Sequence, residues 1–219
     1  FRSDRKIFNN TKLELLISHL ASAEQLKNKY NQVQNMNFVK SFNLFKSIKY
    51  KSLCSSAGVM NNKNLHYDMI RPGISLYGCA DNDKLLKKNR IKPVIVLKGK
   101  ILQIKIIKKG EYIGYNQTYL TNRKKKIAII GLGYADGISR LLSNKGSLYY
   151  KKDSYKIIGR VSMDSLTVDI TNSNYLIKVG HYMEIINHHK RTEKLARSIG
   201  TISNEILTSI SKRVKRVYI

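Results

Sequence analysis

Up to about residue 80, short apolar runs alternate with stretches of helical pattern. Leu13 to Ile17 reads as a buried strand. Ser22-Ala23-Glu24-Gln25 is a capping-box pattern, opening a helix that runs through Tyr30, Val33 and Met36 to Phe38. Tyr50 to Cys54 predicts a second strand, with a short helix from near Ser55. Tyr67 to Ile70 predicts a third, closed by Arg71-Pro72-Gly73. Strands alternating with helices predict parallel β/α units. After a polar linker from Asn82 to Asn89 the period changes. Val94 to Leu97 and Ile101 to Ile107 are rich in β-branched residues, the second alternating with Gln103 and Lys105. Ile127 to Ile130, Ser147 to Tyr150, Tyr155 to Ile158, Leu166 to Ile170 and Tyr182 to Ile186 continue as short strands with Gly, Asn and Asp between them. Two helical patterns follow, Thr192 to Ser198 and Ser203 to Ser211. The fold class expected is α/β plus all-β, with β/α units over residues 1–88 and a β-module over 89–219.

Composition narrows the picture only a little. A hydrophobic content of 42% over 219 residues supports an ordinary packed core, and no run of 18 apolar residues predicts a membrane span. Cys54 and Cys79 form neither a disulfide framework nor a metal spacing, which points to a reducing cytosol. The formal charge of +27 raises the question of a nucleic-acid partner. Its lysines are scattered, however, as at Lys87-Lys88, Lys108-Lys109, Lys124 to Lys126 and Lys151-Lys152, mostly at turns. Zinc-finger spacing and RRM-type signatures are lacking, so the charge speaks to solubility and weak polyanion association. His181, His188 and His189 have no convincing metal partners and read as structural; no metal site is expected.

Candidate chemistry sits where apolar runs end. His19 follows Leu15 to Ser18, Ser55-Ser56 follow Leu53-Cys54, and Arg71 follows Met69-Ile70. On consecutive strands of a parallel barrel, all three would point at one rim, the face where barrel active sites lie. Ser56, Gly73 and Ile74 suit a phosphate, because small residues let backbone N–H groups approach and a helix start presents unpaired donors. Tyr115 and Tyr134 stand out among fourteen tyrosines because each is embedded in glycine, in Gly114-Tyr115-Asn116 and Gly133-Tyr134-Ala135-Asp136-Gly137. A phenol with a reference pKa of about 10 acts as a base near neutral pH only if cations or donors stabilise the phenolate. His19 and Arg71 could do so. Met163-Asp164 follows a Gly159-Arg160 turn. Taken singly, each of these features also suits a strand end, an ordinary turn or a packed loop.

Taken together they resemble the pyridoxal-phosphate (PLP) dependent alanine racemases, over essentially the whole chain. The resemblance is carried by Ile17-Ser18-His19-Leu20-Ala21, Asp68 to Ile74, Gly133 to Gly137, Gly159-Arg160-Val161-Ser162-Met163-Asp164 and the ending from Gly200 to Arg213. It implies part of a TIM-type β/α barrel followed by a C-terminal β-domain, in a cytoplasmic homodimer whose sites mix residues of both subunits. It further implies interconversion of L- and D-alanine by two-base racemisation, supplying D-alanine for peptidoglycan. Tyr115 matches the tyrosine that exchanges the α-proton on one face of the substrate. His19 and Arg71 match the residues that tune it, with Arg71 also facing the pyridine nitrogen, and Asp164 matches a neighbour of the reacting groups. Ser56, Gly73 and Ile74 match phosphate contacts, Met163 the backbone donor to the substrate carboxylate, and Tyr134 a gate.

The departures matter as well. The chain opens at Phe1, without room for the family's Schiff-base lysine, and Asn204 stands where a phosphate-touching tyrosine is usual. The expectation is a C-terminal part, inactive without the N-terminal piece. The alternatives are a non-catalytic remnant or basic binding module, and a racemase for another amino acid such as serine or lysine.

Overall fold

The computed structural model describes residues 10–45, 47–80, 83–188 and 191–219, so the reading of His189 lies outside the described residues. The chain divides into two compact units, Phe1–Lys92 and Pro93–Ile219.

In the first unit, β1 (Leu15–Ile17) pairs in parallel with β2 (Tyr50–Ser52), in register Leu15 with Tyr50 and Ile17 with Ser52. The β1 strand is shorter and wetter than its apolar run suggests: Leu15 and Leu16 are half-buried and Ile17 is 54% exposed. Helix α1 (Tyr30–Leu44) connects the two strands. It begins later than the Ser22 pattern predicts, because Gln25 N–H donates to the Ser22 carbonyl and closes a separate turn. The effective cap is Asn28, whose Oδ1 accepts from Tyr30 N–H at 2.9 Å. Helix α2 (Ser56–Asn61) follows β2 as expected.

The third strand does not form over 67–70. Tyr67 has φ +51, and the amides of Asp68 and Met69 both donate to the Lys51 carbonyl instead of alternating along a ladder. What survives is one parallel bridge, Ser55 to Arg71. A short 3-10 helix, Ile74–Tyr77, comes next, and the supposed polar linker contains α3 (Asp83–Lys88). Leu85 and Leu86 are buried there with Met60 and Ala80, which is why that stretch is helical. Leu53 and Cys54, both fully buried, centre a seven-residue cluster with Leu20, Ala23, Phe38, Ala57 and Leu65.

The second unit is built on a six-stranded antiparallel sheet. Its members are β3 (Leu97–Ile107), β6 (Lys125–Ile130), β7 (Ser147–Tyr150), β8 (Asp153–Lys156), β9 (Leu166–Asp169) and β10 (Tyr182–Ile186), in the order β8-β7-β10-β3-β6-β9. A single bridge, Ile157 to Val168, links the chain leaving β8 to β9, at the far end of that order. The strand β3 replaces the two shorter runs read from the sequence, because Gly99 continues the strand instead of breaking it. An added Cβ there would meet Leu132 Cγ at 2.5 Å and Ile130 Cγ2 at 2.7 Å, so the glycine admits core side chains. Leu97, Gly99 and Ile101 point inward while Lys98 and Lys100 point out. The alternation then breaks at a register shift between Ile101 and Gln103. A hairpin of β4 (Tyr112–Ile113) and β5 (Tyr119–Leu120), which the hydrophobic pattern does not announce, carries the first glycine-tyrosine turn. Helices α4 (Thr192–Ser198) and α5 (Ser203–Ser209) complete the unit, contributing Leu195, Ala196 and Ile206 to a cluster of 21 buried residues.

Candidate functional site

In the first unit, the residues expected at one rim do gather at the ends of β1, β2 and the segment leading to Arg71. The Arg71 guanidinium donates through Nη1 to Ser52 Oγ and through Nη2 to the Ser18 carbonyl, at 2.6 Å. Ser52 Oγ in turn donates to the Met69 carbonyl at 2.9 Å. One side chain thus ties together the three chain segments that a barrel would order side by side, and its charge is fixed in place one residue from His19. His19 itself is exposed, and Gln34 of α1 holds its backbone, donating to the His19 carbonyl at 3.2 Å and accepting from Ala21 N–H at 2.9 Å. Neither Ser52 nor Gln34 carried a signal in the sequence. Burial pushes the nearby Cys54 thiol up, with Arg71 opposing, so this cysteine is an inert core residue.

Ser56, Gly73 and Ile74 form a cradle. Ser56 Oγ, on a side chain almost fully buried, accepts from Gly73 N–H at 2.8 Å and Ser75 N–H at 3.2 Å, and lies 3.1 Å from Ser75 Oγ. A hydroxyl has two lone pairs and one proton. Ser56 Oγ thus accepts from two amides and from the Ser75 hydroxyl, which leaves one proton of the two-hydroxyl pair uncommitted within the cradle. The Ile74 N–H has no partner among the described residues. A Cβ built on Gly73 would meet nothing within 4 Å, leaving open space where small residues were expected to admit a phosphate. The donors, the space and the lack of any acidic group in the cradle fit a phosphate monoester such as the one PLP carries.

In the second unit the candidates are set by backbone packed on backbone. The turn Tyr134–Asp136 is pinned on Ser162-Met163: Tyr134 N–H donates to the Ser162 carbonyl and Ala135 N–H to the Met163 carbonyl, both at 3.0 Å. Gly133 is required at that contact, since a Cβ would lie 2.2 Å from Met163 O. Asp136 is buried, accepts from Gly133 N–H at 2.8 Å, and pairs with Arg213 Nε at 3.0 Å. Arg213 also reaches Asp164 at 2.7 Å. Tyr134, Met163 and Asp164 are therefore one assembly, with Arg213 its unforeseen member. In a chain with 41 lysines and arginines, Arg213 stood out only as the end of the resembling stretch from Gly200, with no role attached. Tyr115 is 69% exposed at the start of a turn, Tyr115–Gln117, at the tip of the β4–β5 hairpin. The turn rests on the stretch that leads to Met163: a Cβ on Gly114 would lie 2.8 Å from Arg160 N, and one on Gly159 2.7 Å from Ile113 O. Asn204 is exposed on α5.

The structure groups His19, Ser56, Arg71, Gly73 and Ile74 in the first unit, and Tyr115, Tyr134, Met163 and Asp164 in the second.

Comparison with known proteins agrees with this division. Residues 94–218 match the family model described as alanine racemase, C-terminal domain, and residues 5–81 the model of the N-terminal domain. The chain is 38% identical over 219 residues to an alanine racemase of Rickettsia akari, with 99% of this chain and 59% of that protein covered. It is 36% identical to one of Brucella abortus, with 94% and 55% covered. It is similar in structure to the alanine racemase of Bartonella henselae with covalently bound pyridoxal phosphate, at TM-score 0.91 and 34% identity over 99% of this chain and 59% of that one. A second solved likeness is the Clostridium difficile 630 alanine racemase in complex with cycloserine, at TM-score 0.85 and 33% identity, with 94% and 56% covered. The chain thus spans about 59% of the length of relatives such as the first. With more than half its residues under the C-terminal model, it belongs to the alanine racemase family.

Proposed function

We propose that the chain supplies most of a PLP-dependent racemase that interconverts L- and D-alanine. In this reading residues 1–88 are the C-terminal half of a cofactor-binding barrel and 89–219 the β-domain that brings the proton-transfer tyrosine. The observation that carries the reading is the Ser56–Gly73–Ser75 cradle beside a clamped Arg71, in a chain of this family. Ser56, Gly73 and Ile74 would hold the phosphate, and Arg71 would face the pyridine nitrogen. Bound there, PLP supplies an electron sink that loosens the substrate's Cα–H bond. A guanidinium there, in place of a carboxylate, would offer that nitrogen only a hydrogen-bond donor and so would temper the sink.

The chain's own residues do the rest. On the resemblance, the Tyr115 hydroxyl takes or returns the α-proton on one face of the substrate, and His19 and Arg71 correspond to the residues that tune that tyrosine. The Met163 backbone N–H holds the substrate carboxylate, Asp164 stands beside the reacting groups under the hand of Arg213, and Tyr134 narrows the entrance. Two-base racemisation needs a second base on the opposite face. On the resemblance, that base is the cofactor-bearing lysine, on a stretch absent from these 219 residues. In this reading the 219 residues carry one of the two bases, and a homodimer that has both, working in the cytoplasm to provide D-alanine for peptidoglycan, is the active form.

The test is complementation. The 219-residue chain is mixed or joined with the missing segment taken from a relative, and both racemisation and the PLP absorbance band are followed. Activity and the band should appear together, and Tyr115→Phe should remove most of the activity while keeping the band. A complemented protein that never takes up PLP, or that racemises at full rate with Tyr115→Phe, overturns the reading.

A further inference from the structure

The turn that carries Tyr115 is held in an uncommon conformation. Gly114, Asn116 and Gln117 have φ of +79, +58 and +52, so two non-glycine residues in succession occupy the left-handed region. Such a backbone persists only where its surroundings hold it. Part of the support is the glycine-to-glycine contact described above, in which Gly114 and Gly159 each leave room for the other's chain. That contact is only as firm as Gly159 itself.

What holds Gly159 is Asn144. Its Oδ1 accepts from Gly159 N–H at 2.6 Å, and its Nδ2 points at Thr118, 3.4 Å from the carbonyl and 3.3 Å from Oγ1. This amide orientation alone meets a donor with an acceptor at both ends. Asn144 has φ +58, a conformation that asparagine tolerates better than most residues. Next to it, Ser143 Oγ accepts from Val161 N–H at 3.0 Å, so the Ser143-Asn144 corner takes the amides on both sides of Arg160. The Gly159 bond is short and the Thr118 contacts are long, so the Gly159 end carries most of the restraint.

We propose that Asn144 is a positioning residue for Tyr115: it locks Gly159 beneath the turn and steadies Thr118 at its exit, setting where the phenol stands. The proposal rests on the proton-transfer role given to Tyr115 above, but its test does not. Amide hydrogen exchange is measured on the 219-residue chain for residues 112–120, for Gly159 and, as an internal reference, for β6 over 125–130. Asn144→Gly keeps the φ without strain and deletes both contacts. Exchange at Gly159 and over 112–120 should then rise roughly 3- to 10-fold, the span one hydrogen bond of ordinary net worth allows, while 125–130 stays unchanged. Asn144→Asp keeps the acceptor for Gly159 and sets a negative charge against the Thr118 carbonyl. It should protect Gly159 while still loosening 112–120. Hairpin exchange unmoved in both variants, or β6 loosened in step with the hairpin, overturns the proposal. Loss of the catalytic role of Tyr115 in the complementation test would sink the functional reading and leave the exchange result standing.

Discussion

In residues 93–219 the candidate side chains ride on backbone pressed against backbone, whereas in residues 1–92 they hang from side-chain hydrogen bonds between strand ends. The β-unit sets Tyr134 and Met163 by amide-to-carbonyl bonds across a glycine contact, over a cluster of 21 buried residues. The first unit sets Arg71, Ser56 and Gly73 through serine hydroxyls and one guanidinium, above a cluster of seven. The difference teaches that one half fixes geometry by excluding alternatives, since nothing larger than hydrogen fits. The other fixes it by offering partners, which a ligand or a neighbouring segment can exchange.

The sharpest way to break that contrast is Gly133→Ala. Its Cβ would fall 2.2 Å from Met163 O and 2.4 Å from Ser162 O, both main-chain atoms that cannot swing aside. Relieving the clash separates the two strands of chain and weakens two hydrogen bonds as well. Overpacking at about 1–3 kcal/mol and about 1 kcal/mol for each of the two weakened bonds give an expected loss of roughly 3–5 kcal/mol. Denaturant unfolding should show it as a lower midpoint at unchanged slope. A variant within 0.5 kcal/mol of the native chain (an arbitrary but strict margin, about the scatter of surface substitutions) would show that the contact yields easily.

This rigidity also explains what could be read from the sequence. Strands β6, β7, β9 and β10 were legible within two residues at their ends, because a sheet with one buried face writes its register as alternating side chains. Gly133 and Gly159 were legible as unusual because glycine next to bulky residues is rarely neutral. The third strand of the first unit was misread: Tyr67 to Ile70 has the composition of a strand, but the positive φ of Tyr67 is a tertiary effect with no local signature. The start of α1 was misread because Ser22 and Asn28 are both good caps, and only packing chooses between them. Of the candidate site, the sequence singles out the residues with distinctive chemistry. Those that act by tying segments together, Ser52, Gln34, Asn144 and Arg213, are common residue types whose role exists only in three dimensions.

The charge pairs of the two units sharpen the contrast through pH. Lys125 and Asp169 meet at 2.7 Å, with side chains 8% and 20% exposed. Burial alone would raise Asp169, but the Lys125 hydrogen bond, with the Thr171 hydroxyl and amide, outweighs it and holds the carboxyl below its usual value. The Asp169 bond in turn raises Lys125 against the opposing effect of burial. A lowered carboxyl stabilises the fold above its unfolded pKa of about 4 and loses that contribution as pH falls through the folded value. A raised ammonium stabilises below about 10.4 and loses it as pH rises through the folded value. Lys125→Met should therefore cost about 3 kcal/mol near neutrality, at the low end for a broken buried pair because Asp169 keeps some solvent. It should also flatten the acid limb of the Tm–pH curve. In the first unit Lys51 and Asp68 stand 3.9 Å apart and half in solvent, so Lys51→Met should cost below about 1 kcal/mol. Equal losses in the two variants would erase the distinction between the units.

The smallest expected effect on stability is the most telling about function. In Gly73→Ala the new methyl meets no protein atom within 4 Å, and the position is exposed. Stability should move by less than about 0.5 kcal/mol, the usual range for a substitution that disturbs no packing. The Gly73 N–H can still donate to Ser56 Oγ, so the cradle itself survives. What the methyl occupies is open space at the edge of the cradle, where a phosphate would need to approach the backbone closely. Thermal unfolding of the 219-residue chain should thus be indifferent to the change, while the complemented enzyme should hold PLP roughly tenfold more weakly, about 1.4 kcal/mol. That is the reverse of Gly133→Ala, where the added carbon strikes the protein's own backbone. If Gly73→Ala left PLP retention untouched, the cradle would be a packing feature and the phosphate would sit elsewhere. If it unfolded the chain, the space in front of Gly73 would have to be filled by the protein's own atoms.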